Sequence, residues 1–155
     1  MPRARSGSVR HILHPSDFSP ASGAAFTKAL ALARDANAQL TIAHILNPAV
    51  VLPIDAYVAA RVYDDIQRSA GTYARKKLAG MLARARKAGV RAKTVLIEGA
   101  ATAERIVAAA RRRRADLIVI GTHGRTGLAR LMLGSVASRV VATSGCPVLT
   151  VRGRA

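Results

Sequence analysis

The chain has 155 residues and is 50% hydrophobic, which fits one globular domain with a single core and excludes a disordered protein. Its 25 Lys and Arg against 8 Asp and Glu give a formal net charge of +17, which favours polyanionic partners such as nucleic acid, anionic lipid or phosphorylated ligands. A solvated basic surface is the favoured alternative, because the cations are scattered through every helix and aromatic residues make up only 3%.

Residues 1–8 are basic, and no apolar region follows them, which predicts a loose tail and no secretory signal. No apolar run approaches the ~20 residues that a membrane span needs. The single cysteine, Cys146, excludes an internal disulfide framework and suits a reducing compartment. We therefore expect a cytoplasmic protein with one domain over residues 9–152.

The first two strands flank a well-marked helix. Residues 9–14 predict a β-branched strand that ends at Pro15. A helix is predicted over about residues 20–36, with Ser19 as its N-cap and a proline in its first position. Residues 39–46 are apolar almost throughout, which is typical of a strand buried on both faces of a parallel sheet.

A long helix is predicted over about residues 55–88. Gly71 is a point at which the helix could kink or divide, and Gly89 is its expected C-cap. The helical spacing of its apolar residues predicts a buried stripe. That stripe consists of Val62, Ile66, Ala70, Ala74, Leu78, Leu82 and Ala85.

The second half of the chain continues the alternation. Strands are predicted over residues 90–97, 115–120 and 147–151, with helices over about residues 103–113 and 133–143. Alternating strands and helices predict a doubly wound, five-stranded parallel sheet with helices on both faces. Ligands in such sheets bind at the carboxyl ends of the strands, near the point where the strand order reverses.

Four consecutive arginines, residues 111–114, end the third predicted helix. Cations are favourable at a helix C-terminus because the helix dipole is negative there. We therefore interpret this run as a solvated helix end, and only secondarily as a patch for polyanions.

Polar side chains lie at or just past the ends of the predicted strands: His14, Asp17, His44, Glu98 and His123. Two interpretations of Asp17 stay open, because its carboxylate could accept hydrogen bonds from ribose hydroxyls or could close an Asx-turn in its own loop. The histidines lack the spacing of metal ligands. Buried or hydrogen-bonded imidazoles are therefore favoured over a dedicated transition-metal site.

The segment from Ile118 to Val136 carries most of the functional signal. An apolar strand ends at Gly121, a glycine-rich cationic loop follows, and a helix begins near Gly134. Backbone N–H groups and the helix dipole make this arrangement a phosphate site. The glycines follow G-x-x-G-x-x-G at the fourth strand, and no Gly-Lys-Ser/Thr occurs, so the loop is neither a Walker A loop nor the dinucleotide fingerprint.

The wider spacing is more specific. Gly121-x2-Gly124-x9-Gly134-Ser135 resembles the G-2x-G-9x-G-(S/T) signature of the universal stress protein family. Residues 15–19 resemble that family's first loop, residues 43–46 its second strand and residues 146–152 its closing strand. The resemblance covers residues 9 to 152.

The resemblance implies a Rossmann-like sheet of the adenine nucleotide alpha hydrolase type, with strand order 3-2-1-4-5. It implies an ATP site in which Asp17 holds the ribose, Ile45 contacts adenine and the start of the last helix binds the phosphates. Mg²⁺ would be held mainly by phosphate oxygens. The nucleotide-binding residues expected from the resemblance are Pro15, Ser16, Asp17, Ile45, Ile120, Gly121, His123, Gly124, Arg125, Gly134, Ser135 and Val136. A side chain at Gly134 is expected to fill the space of a phosphate and leave the fold intact.

The leading hypothesis is a nucleotide-dependent regulatory module of the stress response, homodimeric through its final strand, with a protein partner that the sequence does not identify. No membrane contact and no sequence-specific nucleic acid are expected. One rival is a slow ATPase in which His123 or Asp17 orients water, or slow phosphorylation of Ser135 by bound ATP. The other is a basic polyanion or nucleic-acid binder driven by charge.

Overall fold

The computed structural model describes residues 8–49, 56–123 and 133–153, with the side chains of residues 56–59 left out. It contains five strands and four helices in strict alternation. In chain order they are β1 His11–Pro15, α1 Pro20–Asp35, β2 Gln39–Leu46, α2 Ala56–Lys87, β3 Ala92–Glu98, α3 Thr102–Arg112, β4 Leu117–Gly121, α4 Ser135–Thr143 and β5 Val148–Val151.

The strands form one parallel sheet in the order β3-β2-β1-β4-β5, which confirms the predicted topology. In the central strand, Leu13 lies opposite Thr41 of β2 and Ile118 of β4. The chain therefore moves outward from β1 through β2 to β3, crosses back to β4 and continues to β5. The reversal lies between β1 and β4, and this is where a doubly wound sheet opens a crevice.

Two cores cover the two faces of the sheet. Alternate residues of a strand point to opposite faces, so Ile12 packs under α1 and α2 whereas Leu13 packs under α3 and α4. Alanines supply most of the helix contacts, and Phe26 is the largest fully buried side chain. This agrees with a composition poor in aromatic residues. None of the described helices is long and apolar enough to cross a membrane.

Local signals fix several helix ends as predicted. The Ser19 hydroxyl accepts a hydrogen bond from the Ser22 N–H at 3.2 Å, and Pro20 begins α1. Gly89 has φ +76° after α2, in a turn where the Val90 N–H reaches back to the Ala85 carbonyl at 3.0 Å.

Some boundaries differ from the prediction. β1 runs through Pro15, because that residue still pairs in register with Ala43 of β2. The last helix begins at Ser135 and not at residue 133, since Gly134 has extended backbone angles and is the N-cap. α2 is a single helix through Gly71 and is not divided.

The predicted stripe of α2 is buried only in the second half of the helix. Ala74, Leu78 and Ala85 are buried, whereas Val62 is 40% and Ile66 46% exposed. The expectation of burial at these two positions was therefore wrong for this chain. At Gln67 the first half of α2 lies beside the segment that follows β2, since the Gln67 side chain accepts a hydrogen bond from the Ala49 N–H at 3.1 Å.

Candidate functional site

A cleft of about 680 Å³ opens at the carboxyl edge of the sheet, where the strand order reverses. The chain leaves β1 towards α1 on one face and leaves β4 towards α4 on the other. Described residues that follow these two strands line the cleft: Ser16 and Asp17 after β1, and Thr122 and His123 after β4. The topology therefore places the cavity, and the loop residues decide its chemistry.

Ten of the twelve predicted site residues line this cleft: Pro15, Ser16, Asp17, Ile45, Ile120, Gly121, His123, Gly134, Ser135 and Val136. They come from four separate stretches of sequence that only the folded sheet brings together. The other two, Gly124 and Arg125, lie outside the described residues, as does Gly127.

The loop after β1 is held by its own hydrogen bonds. An Asp17 carboxylate oxygen accepts from the Ser19 N–H at 2.9 Å, so the Asx-turn interpretation of this residue is confirmed. The Ser16 hydroxyl bonds the Ser22 hydroxyl at 2.7 Å and accepts from the Phe18 N–H at 3.2 Å. The turn fixes the carboxylate at the edge of the cleft. This position is compatible with the ribose interpretation, and the two roles do not exclude each other.

Gly121 is explained by a close approach of helix α1. A Cβ built at this position would lie 3.0 Å from the backbone carbonyl carbon and oxygen of Ala21, and 3.1 Å from the Ser22 nitrogen. Such contacts are tighter than most that real Cβ atoms make, so α1 or the end of β4 would have to shift by a few tenths of an ångström. The glycine therefore lets the first turn of α1 pack on the end of β4, a role that the sequence signature alone did not suggest.

The beginning of α4 lies at the cleft, and within the described ranges no side chain caps its first N–H groups. The first N–H groups of a helix have no partner within it, and the N-cap residue here is Gly134. Ser135, Val136 and Ala137 of the first turn line the cavity. A helix N-terminus of this kind attracts anions through its N–H groups and its dipole.

The loop is tied at this point to the end of β4. The Gly134 N–H donates to the Thr122 carbonyl at 2.7 Å, and a Cβ on Gly134 would lie 2.9 Å from the same oxygen. The expectation that residue 134 can carry a side chain without disturbing the fold was therefore wrong. Valine there would push the helix start away from β4 whether or not a phosphate is bound.

The three histidines near the cleft have separate environments. The His14 ring is completely buried, and its Nδ1 donates to the Val119 carbonyl at 2.8 Å. His44 Nδ1 donates to the Ser16 carbonyl at 2.7 Å, and His123 Nδ1 lies 2.9 Å from the Thr122 hydroxyl. Among the residues that the structure describes, no three His, Cys, Asp or Glu side chains form a group that could hold a metal ion.

Burial lowers the pKa of His14 to about 4, and this effect exceeds the opposing influence of the Val119 carbonyl and the Asp17 carboxylate. The Nε2 atom of His14 is buried without a hydrogen-bond partner among the described residues. A proton on that nitrogen would have no acceptor. His14 therefore stays neutral beneath the loop that carries Asp17.

Helix α2 supplies a wall of the cleft that the sequence did not predict. Ala70 and Tyr73, which lie midway along α2, line the cleft. The Tyr73 and Phe18 rings make a T-shaped contact with 6.0 Å between centroids, and Phe18 stacks on His44 at 4.4 Å. Phe18 has φ +65°, a conformation that costs energy for a bulky residue. This row of rings connects the loop after β1 with α2.

Asn47, Thr102 and Ile106 also line the cleft and were not predicted. The rule that polar groups gather after strand ends could have found Asn47, which directly follows β2 and accepts a hydrogen bond from the Thr102 hydroxyl at 3.1 Å. Ile106 carries no such signal, because its spacing in α3 is that of an ordinary core residue.

Comparison with known proteins gives one consistent result. The family model described as "Universal stress protein family" matches residues 8–152. Universal stress protein MJ0531 of Methanocaldococcus jannaschii is 34% identical over 143 residues, which cover 92% of this chain and 82% of that protein. Universal stress protein UspA from Lactobacillus plantarum has the same fold with a TM-score of 0.83 at 25% identity, over 94% and 99% of the two chains. A universal stress protein in complex with cAMP matches with a TM-score of 0.67 at 26% identity, over 96% and 100%.

Proposed function

The chain belongs to the universal stress protein family, and on that premise we propose that it binds an adenine nucleotide in the cleft between β1 and β4. The proposed ligand is ATP, and the proposed role is that of a nucleotide-dependent regulatory module in the cytoplasm. A solved relative in complex with cAMP supports the adenine nucleotide class.

The observation that carries the proposal is the start of α4 at one end of the cleft. The first turn of α4 lines the cavity, and its N-cap residue is a glycine. Ser135 is the first residue of that turn and carries a hydroxyl that can serve as a further donor. Phosphates fit this end of the cleft, because several donors and the positive end of the helix dipole converge on one anion there.

The adenosine fits the remainder of the cleft. Ile45 offers an apolar contact for the base at the end of β2, and Asp17 offers a carboxylate for the ribose hydroxyls. The Asx-turn prevents the carboxylate from reorienting, so the cost of ordering it is already met before the ligand arrives. Gly124 and Arg125 are proposed on the phosphate side from the family signature.

Mg²⁺ would accompany ATP and neutralise part of its phosphate charge. Asp17 is the sole carboxylate among the described residues that line the cleft, and no group of three possible ligands occurs in the described part of the chain. This donor set suits an ion that keeps several waters and is held through the phosphates. It does not suit a cage made of protein ligands.

Titration calorimetry with ATP and with adenosine tests the binding mode. Ser135→Ala deletes one hydroxyl donor and keeps the backbone N–H, so ATP affinity should fall about ten- to hundredfold and adenosine affinity should not change. Asp17→Asn keeps an acceptor for the Ser19 N–H and removes the charge, so it should weaken both ligands alike. Ser69→Ala, on an exposed position of α2 away from the cleft, is the matched control.

Two outcomes would contradict the proposal. If Ser135→Ala binds ATP like the wild type, the phosphates are not at α4. If Asp17→Asn weakens ATP but not adenosine, Asp17 acts on the phosphates or their metal and not on the ribose. Phosphate release in the same samples measures the ATPase rival, for which His123→Ala against wild type is the informative pair.

A further inference from the structure

The basic residues that end three of the helices lie together at the amino edge of the sheet, opposite the cleft. We call this surface the basic edge and define it by the Lys and Arg residues at positions 10, 34, 84–87, 91–93 and 111–114. Each helix of a parallel sheet runs back towards the start of the next strand. Helix C-termini and strand beginnings therefore share one end of the molecule.

Contacts between these segments show that the surface is continuous. The Arg91 guanidinium donates to the Asn37 carbonyl at 2.9 Å, which joins the start of β3 to the end of α1. His11 Nδ1 donates to the Arg113 carbonyl at 2.8 Å, which joins β1 to the end of α3. Arg86 and Lys93 line one shallow depression together with Arg91. Cations that are far apart in the sequence are thus neighbours here.

The basic edge has little negative charge to balance it. The basic edge holds eleven of the 25 Lys and Arg residues in the chain. Of the 8 Asp and Glu residues in the chain, it holds only Asp35 and Asp116. Asp116 accepts hydrogen bonds from the backbone N–H groups of Arg10 and His11, both at 2.9 Å. Arg34 with Asp35, at 3.6 Å, is the single ion pair of this surface within the described ranges. The positive charge is therefore available to an external anion.

We propose that the basic edge binds the phosphate backbone of double-stranded nucleic acid, independently of base sequence. Nine of its eleven cations are arginines, whose planar guanidinium groups pair with phosphate in a bidentate manner. Such contacts fix a duplex by its charge and carry no sequence information. The surface lies at the opposite end of the strands from the nucleotide cleft, so both ligands can be bound at once.

Two other polyanions fit this surface less well. Single strands are bound largely by stacking on exposed aromatic rings, and the described aromatic side chains other than the buried Phe26 lie on the cleft side or in the first half of α2. Anionic membranes are bound by basic surfaces with large apolar side chains beside them. The exposed large apolar residues among the described ones are Val62, Tyr63, Ile66, Tyr73, Leu133 and Val141. Only Val141, near the end of α4, lies at the same end of the sheet as the basic edge, and a single such residue does not make an apolar face.

Fluorescence anisotropy with a labelled DNA duplex of about 20 base pairs tests the proposal between about 50 and 200 mM salt. The variant Arg86→Gln/Lys93→Gln/Arg112→Gln removes three exposed cations of the basic edge whose side chains make no hydrogen bond within the described residues. The control variant Lys28→Gln/Arg61→Gln/Lys76→Gln removes three exposed cations elsewhere and changes the net charge equally.

Wild-type affinity should fall linearly on logarithmic axes as salt rises, and it should be the same for two unrelated duplex sequences. The basic-edge variant should bind at least about tenfold more weakly at low salt and reduce the salt slope by about 2 to 3. The duplex affinity of the control variant should stay within about threefold of the wild-type affinity. Saturating MgATP should leave the duplex affinity of every variant unchanged. Equal weakening by the two variants would overturn the proposal. So would capture of phosphatidylserine vesicles at a salt concentration where the duplex no longer binds.

Discussion

Protonation of His14 should destabilise the fold as the pH falls below neutrality. The Val119 carbonyl can only accept, so Nδ1 carries the hydrogen and Nε2 the lone pair. Nε2 is buried without a partner among the described residues, and burial lowers the pKa of the ring from 6.5 to about 4. The native protein therefore resists a proton that the unfolded chain accepts readily.

The sign and size of the effect follow from these two pKa values. Above the unfolded pKa of 6.5, both states are neutral and His14 adds no pH dependence. Between the two values only the unfolded state is protonated, and the free energy of unfolding falls by about 1.4 kcal/mol per pH unit. Below about pH 4 both states are protonated and the loss levels off near 3 kcal/mol. At pH ~4.5 the expected loss is about 2.5 kcal/mol.

Urea unfolding followed by circular dichroism at pH ~7.5 and pH ~4.5 measures this loss. His14→Phe removes the titrating nitrogen and keeps a ring in the buried site. Its packing cost and its lost hydrogen bond apply at both pH values, so only the difference between the two pH values is compared. The wild type should lose about 2.5 kcal/mol more than His14→Phe. His11→Gln, at the other end of β1, keeps His14 and should lose as much as the wild type. If His14→Phe loses as much as the wild type, another group carries the acid sensitivity.

Two further predictions concern packing and assembly. Gly121→Ala should lower the free energy of unfolding by about 1–3 kcal/mol, because its Cβ would meet the Ala21 backbone at 3.0 Å. Gly80→Ala is the control, since nothing lies within 4 Å of its Cβ site, and it should be neutral or stabilising in urea unfolding. The open edge of β5 should pair with the same edge of a second copy to give a dimer. Light scattering at tens of micromolar, a concentration at which weak interfaces begin to dissociate, should therefore show a dimer. Thr150→Pro, which removes an N–H that the ladder turns to that edge, should give a monomer; a monomeric wild type would contradict the dimer.

The sequence predicted this fold well because its local signals agree with one another. The nearly continuous apolar run of residues 39–46 predicted a strand buried on both faces, and every residue of β2 after Gln39 is buried. Ser19 and Pro20 marked the start of α1, and Gly89 marked the end of α2. Each of these signals acts within a few residues and needs no knowledge of the tertiary structure.

The failure in α2 has a geometric cause. This helix has 32 residues and is about 48 Å long, whereas the 8-residue strand β2 on which it packs spans about 27 Å. Helical periodicity continues along the whole length of α2, so Val62 and Ile66 resemble core residues in the sequence although both are exposed in the structure. A periodic pattern identifies an apolar face, but it does not say how far the opposite surface extends.

The site residues that follow strand ends could be predicted from the sequence, whereas those in the middle of helix α2 could not. The loops after β1 and β4 carry glycines, acids and a helix start, and they were found. Tyr73 lies in the middle of a helix and lines the cleft beside the Phe18 ring, which in turn stacks on His44. Gly134 was found for its expected contact with phosphate, yet the structure adds a contact with the Thr122 carbonyl.

The close approach of α1 to two strands has a practical consequence for protein engineering. A Cβ at Gly153 would lie 2.9 Å from the Ala21 Cα. A side chain at position 121, at the end of β4, or at position 153, just after β5, would therefore meet the same residue of α1. These three positions form a jointly restricted set, and mutant libraries should leave them unchanged. Diversity aimed at altering ligand preference belongs on the opposite wall, at Ala70 and Tyr73, where side chains meet the cleft and not the backbone of a neighbouring element.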